Sequence, residues 1–301
     1  MNVLNQSIEL PIITQKKVSL AIKREDMIHP FISGNKYRKL KYNLQQAIDS
    51  KSRCLLTFGG AFSNHIAATA YAGRENNIKT IGIIRGEELE AKWEQNPTLV
   101  FAKAQGMELV FVSREVYKKK HEVAFINQLK AAYKGCYILP EGGANALAIK
   151  GCEEILTAAD RDFDVICCAV GTGGTIAGII NSAEPQQRVL GFPALKGDFL
   201  KEDICKFAQN KNWDLNNQFN FGGYAKVTTE LITFINTFKK QTNVQLDPVY
   251  TGKMMFGVLD LIRNDYFKPG TKILAIHTGG LQGIEGMNNL LKKKNLPLIH
   301  D

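Results

Sequence analysis

The stretch D-V-I-C-C-A-V-G-T-G-G-T, residues 164–175, indicates the fold class more directly than any other part of the chain. After Asp164 the residues are apolar up to residue 170, which is typical of a strand buried on both faces. A glycine-rich turn at 171–175 follows, and small apolar residues at 175–182 continue as a helix. A strand, a glycine loop and a helix in this order predict one unit of a parallel α/β sheet.

The same alternation extends outward from this unit in both directions. Strands are predicted at residues 53–59, 79–85, 107–113, 136–139, 164–170, 189–192 and 271–277. Helices are predicted from near residue 35, at 63–77, 97–105, 121–133, 146–160, 175–182, 200–210, 228–240 and 253–264, and after residue 277. We therefore predict an α/β protein with mainly parallel sheets covered by helices on both faces. Composition alone places no domain boundary.

The chain has 301 residues and a formal net charge of +9, which raises nucleic-acid binding as a hypothesis. The basic residues are scattered, however, and the densest runs, 118–120 and 292–294, lie in polar helical stretches. We interpret them as solvated helix faces, so no nucleic-acid partner is predicted.

Cysteine usage and the N-terminal segment bear on the compartment. The six cysteines contain no C-x-x-C pair and lie mostly in apolar runs, so they are interpreted as buried thiols of a reducing compartment. No leader pattern begins the chain, and no apolar run approaches the roughly 18 residues of a membrane span. The expectation is a cytoplasmic protein with no membrane partner and no metal site.

Ligands of open parallel sheets bind at the loops that follow strands. The loop Gly171-Thr172-Gly173-Gly174-Thr175 has the features of a phosphate cradle, because its backbone N–H groups and the following helix N-terminus can face an anion. It lacks the G-x-x-x-x-G-K-[ST] pattern of nucleotide-hydrolysing enzymes. No acidic residue ends the next strand, as a dinucleotide would require, so a phosphate monoester fits better.

Three further segments are candidates for chemistry. Lys36 and Lys39 share one face at a predicted helix start, where the helix dipole disfavours cations unless an anion is bound. Ser63-Asn64-His65 enter a helix after a strand and can surround a carboxylate. Thr278 follows the last strand, in His277-Thr278-Gly279-Gly280.

Taken together these segments resemble one family. The chain is similar to the pyridoxal-phosphate (PLP) enzymes of fold type II, the tryptophan synthase β-like group, and within them to 1-aminocyclopropane-1-carboxylate (ACC) deaminase and D-cysteine desulfhydrase. The matching motifs are S-G-N-K-Y-R-K-L at 33–40, G-G-A-F-S-N-H at 59–65, E-G-G-A-N at 141–145, G-T-G-G-T at 171–175, D-P-V-Y-T-G-K at 247–253 and H-T-G-G at 277–280. They occur in the family's order and span nearly the whole chain.

The resemblance implies a fold and an assembly. It implies two open, mainly parallel twisted sheets, with a smaller domain at residues 39–144 inserted into a larger domain of residues 1–38 and 145–301. It also implies a homodimer.

The resemblance implies roles for single residues as well. Lys36 matches the lysine that carries the cofactor as a Schiff base, which requires a lowered pKa. The implied cofactor contacts are Lys39, Asn64, Gly171, Thr172, Gly173, Gly174, Thr175 and Thr278. Ser63, Asn64 and His65 match the loop that takes the substrate carboxylate, and Ser63 is also a candidate catalytic residue that assists proton transfer. Tyr250 matches an active-site tyrosine; Tyr224 matches a second one, although its flanking residues fit poorly.

The chemistry implied is deamination or β-elimination of a small amino acid, giving an α-keto acid and ammonia. Within the family, ACC deaminase has a glutamate after the active-site tyrosine, whereas Thr251 stands there in this chain. A neutral partner makes the cofactor a weaker electron sink, which favours the D-cysteine desulfhydrase side. Phe62 and Ala67-Ala68 depart from the family's pattern around the substrate, so the substrate is less defined than the cofactor.

Two alternatives remain open at this point. One is a PLP-dependent amino-acid racemase, in which Ser63 serves as the second acid or base. The other is a non-catalytic PLP-binding protein, which would need only Lys36 and the phosphate cradle.

Overall fold

The computed structural model describes residues 3–197 and 199–300 and divides their strands between two sheets. The strands are β1 (Asn5–Ser7), β2 (Ser19–Lys23), β3 (Cys54–Gly59), β4 (Lys79–Arg85), β5 (Glu108–Val112), β6 (Cys136–Ile138), β7 (Val165–Val170), β8 (Arg188–Pro193), β9 (Trp213–Leu215) and β10 (Lys272–Ile276). The α-helices are α1 (Pro11–Gln15), α2 (Asn35–Asp49), α3 (Asn64–Glu75), α4 (Pro97–Ala104), α5 (Arg114–Lys118), α6 (Val123–Ala132), α7 (Ala146–Glu153), α8 (Gly174–Ser182), α9 (Phe199–Cys205), α10 (Thr229–Thr242), α11 (Thr251–Arg263) and α12 (Gly283–Lys293).

The larger sheet has six strands in the order β1-β2-β10-β7-β8-β9. All of its pairs are parallel except β1 with β2, as expected for a sheet whose connections are helices. Its central strand β7 is buried along its whole length, between one apolar cluster that includes α10 and α11 and another that includes α8. The continuous apolar run at 165–170 therefore has the position that its composition predicts.

The smaller sheet has four strands in the order β5-β4-β3-β6, all parallel. Its core strand β3 is buried throughout, and α3 packs against β3 and β4. The α/β class with two mainly parallel sheets is thus confirmed. The boundaries at 38/39 and 144/145 stay a prediction, and the first of them falls within the continuous helix α2.

The structure differs from the sequence predictions in several elements. The short segments β1, α1, β2 and β9 were not predicted, because three to five residues carry too little periodicity. The helix predicted over 146–160 ends at Glu153. Asp160 explains this difference, because its carboxylate accepts hydrogen bonds from the backbone N–H of Thr157 and from Lys23, and so fixes a separate 3₁₀ turn.

The cysteines also differ from the expectation of six buried thiols. Cys54 and Cys136 are register partners on β3 and β6 and form a disulfide across 82 residues of sequence. Of the remaining four, Cys152, Cys167 and Cys168 are buried, but Cys205 is exposed. Spacing could not reveal the pairing, because it arises from strand register.

None of the helices in residues 3–197 and 199–300 is both long and apolar enough to cross a bilayer.

Candidate active site

The carboxyl ends of the two sheets face one cavity of about 530 Å³. Its wall contains all of the predicted site residues except Gly174, and these come from loops far apart in sequence. The lining residues that carry polar side chains are Asn35, Lys36, Lys39, Ser63, Asn64, His65, Arg85, Arg114, Glu141, Thr172, Thr175, Tyr224, Tyr250 and Thr278.

Lys36 lies in the first turn of α2, where a close backbone contact places it. Gly34 precedes this helix with φ +61°, and a Cβ there would overlap the carbonyl oxygen of Thr278. The same carbonyl accepts a hydrogen bond of 3.2 Å from the backbone N–H of Asn35. Glycine is therefore required for the lysine loop to meet the loop after β10.

The pKa of Lys36 is lowered to about 7, first because the amine is removed from water and second because Lys39 is nearby. A large fraction of the Lys36 side chains is therefore neutral near pH 7. A neutral amine is the form that can attack a carbonyl carbon.

Lys39 and the glycine loop of residues 171–175 form the anion-binding part of the cavity. The ammonium of Lys39 donates to the carbonyl of Gly142 at 3.0 Å, and a Cβ on Gly174 would lie 3.3 Å from it. Gly173 precedes α8 with φ +80° and provides no side-chain cap, so the first N–H groups of α8 remain available. The hydroxyl of Thr175 accepts a hydrogen bond of 2.7 Å from the amide of Asn35, which ties this loop to α2.

The residues at the start of α3 have different orientations. Ser63 caps the helix, because its Oγ accepts a hydrogen bond of 3.3 Å from the backbone N–H of Ile66. The side-chain amide of Asn64 reaches across to the loop after β10, where a Cβ on Gly280 would lie 2.9 Å from its Nδ2. Ser63 and Asn64, both predicted as site residues, thus lie at the cavity wall.

The imidazole of His65 is buried, with 2% of the residue exposed. Thr57 donates its hydroxyl to the carbonyl of Leu139 at 3.1 Å, so Nε2 of His65 is the donor in its 2.9 Å contact with Thr57. The pKa of His65 lies well below its usual value, mainly because the ring is buried and also because the charges of Lys36 and Lys39 are close. The neutral ring is held within the wall, so any contact of His65 with a carboxylate must come from its backbone N–H.

Tyr250 and Tyr224 meet at the opposite side of the cavity, with ring centroids 6.2 Å apart in an edge arrangement. Tyr250 packs against Gly171, where a Cβ would lie 3.1 Å from its ring. Burial raises the pKa of Tyr250 well above its usual value; the pKa of Tyr224 is raised as well, by partial burial, since the residue is still 42% exposed. Both phenols are therefore protonated near neutral pH and can donate a proton.

Asp247 explains the position of Tyr250. Its buried carboxylate accepts hydrogen bonds from the backbone N–H groups of Val249, Tyr250 and Thr251 at 2.7–2.9 Å. The hydroxyl of Thr251 also donates to it, at 2.7 Å. Thr251 is fully buried in this cap and does not line the cavity, so it cannot contact a cofactor there.

Comparison with known proteins agrees with this geometry. Residues 5–279 match the family model described as pyridoxal-phosphate dependent enzyme. The chain belongs to this family. Its relatives place it with the ACC deaminases and D-cysteine desulfhydrases, as the motifs predict, and pyridoxal phosphate is its cofactor.

Two relatives and two solved structures illustrate the similarity. The bifunctional D-cysteine desulfhydrase/ACC deaminase of Arabidopsis thaliana mitochondria is 34% identical over 88% of this chain and 73% of its own. A Pyrococcus furiosus protein, provisionally named an ACC deaminase, is 33% identical over 87% and 84% of the two chains. The crystal structure of an ACC deaminase homologue superposes with a TM-score of 0.81, 28% identity and coverage of 97% and 94%. Threonine deaminase of Solanum lycopersicum shares the fold alone, with a TM-score of 0.66 and 16% identity, covering 96% and 88%.

The cavity of this PLP-dependent enzyme fits its cofactor on several independent grounds. It offers a lysine of lowered pKa and, beside it, a glycine loop with a second lysine that suits a phosphate. Among the described residues the Thr278 hydroxyl has no hydrogen-bond partner, although the residue is 8% exposed and lines the cavity. A hydroxyl in this position could form a hydrogen bond with the ring nitrogen of the cofactor.

Sequence reasoning missed several residues of the PLP enzyme's cavity. Arg85 is the last residue of β4 and Arg114 follows β5, so both stand at carboxyl ends of strands, which is the signal that could have identified them. Glu141 belongs to a motif that was recognised but was given no role; it accepts a hydrogen bond of 2.6 Å from Tyr117. Asn35 likewise belongs to the recognised motif at 33–40 but was given no role, and Leu195 has no distinctive signal.

Proposed function

We propose that this enzyme catalyses β-elimination and deamination of a small amino acid, releasing an α-keto acid and ammonia, as its D-cysteine desulfhydrase and ACC deaminase relatives do by name. The observation that carries this proposal is the amine of Lys36, whose pKa is about 7, at the wall of a cavity that also has an anion cradle. When bound, pyridoxal phosphate withdraws electrons from Cα of the amino acid that is attached to it.

The residues of the chain then have separate tasks. Lys36 would be the point of attachment, and its free amine would be placed to take the proton from Cα of the substrate. Lys39 and Gly171, Thr172, Gly173, Gly174 and Thr175 hold the phosphate. Asn64 would lie beside the cofactor ring, and the hydroxyl of Thr278 would face the ring nitrogen.

The substrate carboxylate binds at the start of α3. The backbone N–H groups of Asn64 and His65 lie in the first helical turn, which has no intrahelical partners for them. The Oγ of Ser63 uses a lone pair to cap the helix and retains its proton for the substrate. Tyr250, with Tyr224 beside it, donates a proton near the leaving group.

Elimination is favoured over ring opening by the group that faces the ring nitrogen. The neutral hydroxyl of Thr278 lines the cavity and would not keep a cofactor ring protonated as a carboxylate would. Thr251, whose place after the active-site tyrosine suggested this role, donates its hydroxyl to Asp247 in the helix cap instead. The weaker electron sink suits a substrate with a good leaving group, of which D-cysteine is the first candidate.

The test compares wild type with Lys36→Ala and with Lys41→Ala, an exposed lysine on the same helix. The visible absorbance of lysine-bound cofactor should be present in wild type and Lys41→Ala and absent in Lys36→Ala. Each protein then receives D-cysteine, L-cysteine, D-serine or ACC, and keto acid, ammonia and chiral inversion are measured. Keto acid from D-cysteine supports the proposal; inversion without keto acid would replace it with racemisation.

A homodimer is also proposed, and an exposed aromatic surface supports it. Phe31 is 48% exposed and stacks on Tyr71 at 4.4 Å, and Met27 is 66% exposed. Phe31→Glu should convert the dimer to a monomer in sedimentation analysis, whereas Val123→Glu, an exposed apolar residue on α6, should not. An unchanged dimer in Phe31→Glu would exclude this surface.

We propose the cytoplasm as the compartment, because the buried cysteines Cys152, Cys167 and Cys168 are free thiols. The disulfide between Cys54 and Cys136 is instead typical of an oxidising compartment. Cell fractionation with thiol trapping decides between them.

A further inference from the structure

Lys253 lies in the first turn of α11 and makes two hydrogen bonds to a turn that is distant in sequence. Its ammonium donates to the carbonyl of Asn220 at 2.8 Å and to that of Gly223 at 2.7 Å. The residue that follows this turn is Tyr224. The side chain therefore connects the helix that begins after Tyr250 to the segment that carries the second cavity tyrosine.

Lys253 is an unusual cation, because it is 2% exposed and has no ion pair within the described residues. Burial lowers its pKa to about 8. The charge of Asp247 raises this pKa in part, but its carboxylate is occupied by the backbone N–H groups and the hydroxyl of its own cap. Burying an ammonium without a carboxylate partner costs free energy. The hydrogen bonds to the two carbonyl groups offset part of this cost, so we take them to be the role of the side chain.

Local hydrogen bonds also shape this turn: the backbone N–H of Gly223 donates to the carbonyl of Asn220 at 3.0 Å, and that of Gly222 donates to the side-chain oxygen of Asn220 at 3.0 Å. No helix or strand occurs between Asn216 and Val227, and Phe221, Gly222, Gly223 and Ala225 all have positive φ values. Non-glycine residues in this region are strained and persist only when neighbouring contacts hold them. Apart from the Lys253 contacts, the turn makes apolar tertiary contacts: Phe221 and Ala225 pack against the core of the larger sheet, and the ring centroids of Phe221 and Phe256 are 5.0 Å apart.

We propose that Lys253 is a positioning residue that holds Tyr224 against Tyr250 at the cavity. Tyr250 is the residue before α11 and Lys253 lies in its first turn, so a single helix end determines the places of both tyrosines. This inference rests on the proposed function, because it gives Tyr224 a task in substrate turnover.

A double-mutant cycle tests the proposal, using Lys253→Met, Tyr224→Phe and the combined variant, with Lys240→Met as a control on an exposed face of α10. Lys253→Met should lower kcat/KM by about tenfold, the size expected for losing a charge-assisted hydrogen bond. The combined variant should be no worse than Tyr224→Phe alone, because the lysine acts through the tyrosine. The cofactor absorbance should be unchanged in all of them.

A second measurement does not depend on turnover. Trypsin should cleave after the exposed Lys226 faster in Lys253→Met than in Lys240→Met or wild type, because the turn is released. The inference would be overturned if the losses of kcat/KM in the two single variants multiplied in the combined variant. It would also be overturned if Lys253→Met or Tyr224→Phe kept full activity, or if the rate of cleavage after Lys226 did not change. Absence of keto acid from wild type would instead refute the proposed function, and cleavage after Lys226 would still test the anchor.

Discussion

Lys36 shows how the surroundings of one residue produce its reactivity. An exposed lysine has a pKa near 10.5 and almost no neutral amine at pH 7. Removal from water and the charge of Lys39 lower that pKa, and the same Lys39 belongs to the anion cradle. Two lysines on one helical turn therefore serve both the attachment of the cofactor and the binding of its phosphate.

This arrangement predicts the pH dependence of cofactor uptake by the apoprotein. The neutral form of Lys36 increases as pH rises through the folded-state pKa, so the rate of appearance of cofactor absorbance should rise with a midpoint near pH 7. Lys39→Met removes a charge that lowers this pKa, so its midpoint should move to higher pH. Lys41→Met is the matched control, and a wild-type midpoint near pH 10 would contradict the assignment.

At the scale of elements, the start of α2 has its position because a glycine lets two loops meet. Gly34 combines a positive φ with a close approach to the carbonyl of Thr278. Gly106 also has a positive φ, +88°, but nothing lies within 4 Å of a Cβ built on it. A side chain at Gly106 would meet backbone strain alone, whereas a side chain at Gly34 would meet both backbone strain and steric overlap.

Gly34→Ala should therefore destabilise the protein more than Gly106→Ala. In both variants an alanine at positive φ strains the backbone and lowers the free energy of unfolding by about 1–3 kcal/mol. Only Gly34→Ala also displaces α2 from the loop after β10, so only this variant should bind pyridoxal phosphate more weakly. Chemical denaturation and titration with the cofactor measure the two effects, and equal cofactor affinity in both variants would count against the contact.

Across the whole molecule, the six-stranded sheet depends on a buried ion pair between distant parts of the chain. Lys23, the last residue of β2, donates to Asp160 at 2.7 Å, and each side chain is 1% exposed. Asp160 also accepts from the side chain of Asn5 and fixes the 3₁₀ turn after α7. The N-terminal strands are thereby joined to the segment that leads into β7.

Asp160→Ala should lower the free energy of unfolding by about 3–5 kcal/mol, because it leaves the ammonium of Lys23 buried without its partner. Glu88→Ala breaks the exposed pair with Arg114, whose side chains are 52% and 66% exposed, and should cost less than about 1 kcal/mol. Urea denaturation compares the two; similar losses would show that Asp160 is not a structural centre.

Much of this protein could be predicted from local sequence. Continuous apolar runs such as 165–170 identify doubly covered strands, and glycines after them identify anion cradles, because both properties depend on neighbours in the chain. Lys36, Lys39, Asn64, Tyr250 and Thr278 were identified in this way or through the motifs that contain them, and all line one cavity.

Side-chain direction and partnership were decided only by the tertiary structure. His65 turns inward to Thr57, Thr251 turns into a cap on Asp247, and Cys54 pairs with Cys136, although local sequence favoured other interpretations. Lys253 resembles any helical lysine until its ammonium is seen to meet the 220–223 turn. Local periodicity determines which residues enter a strand or helix, whereas contacts between residues far apart in sequence depend on how the two sheets and their loops pack together.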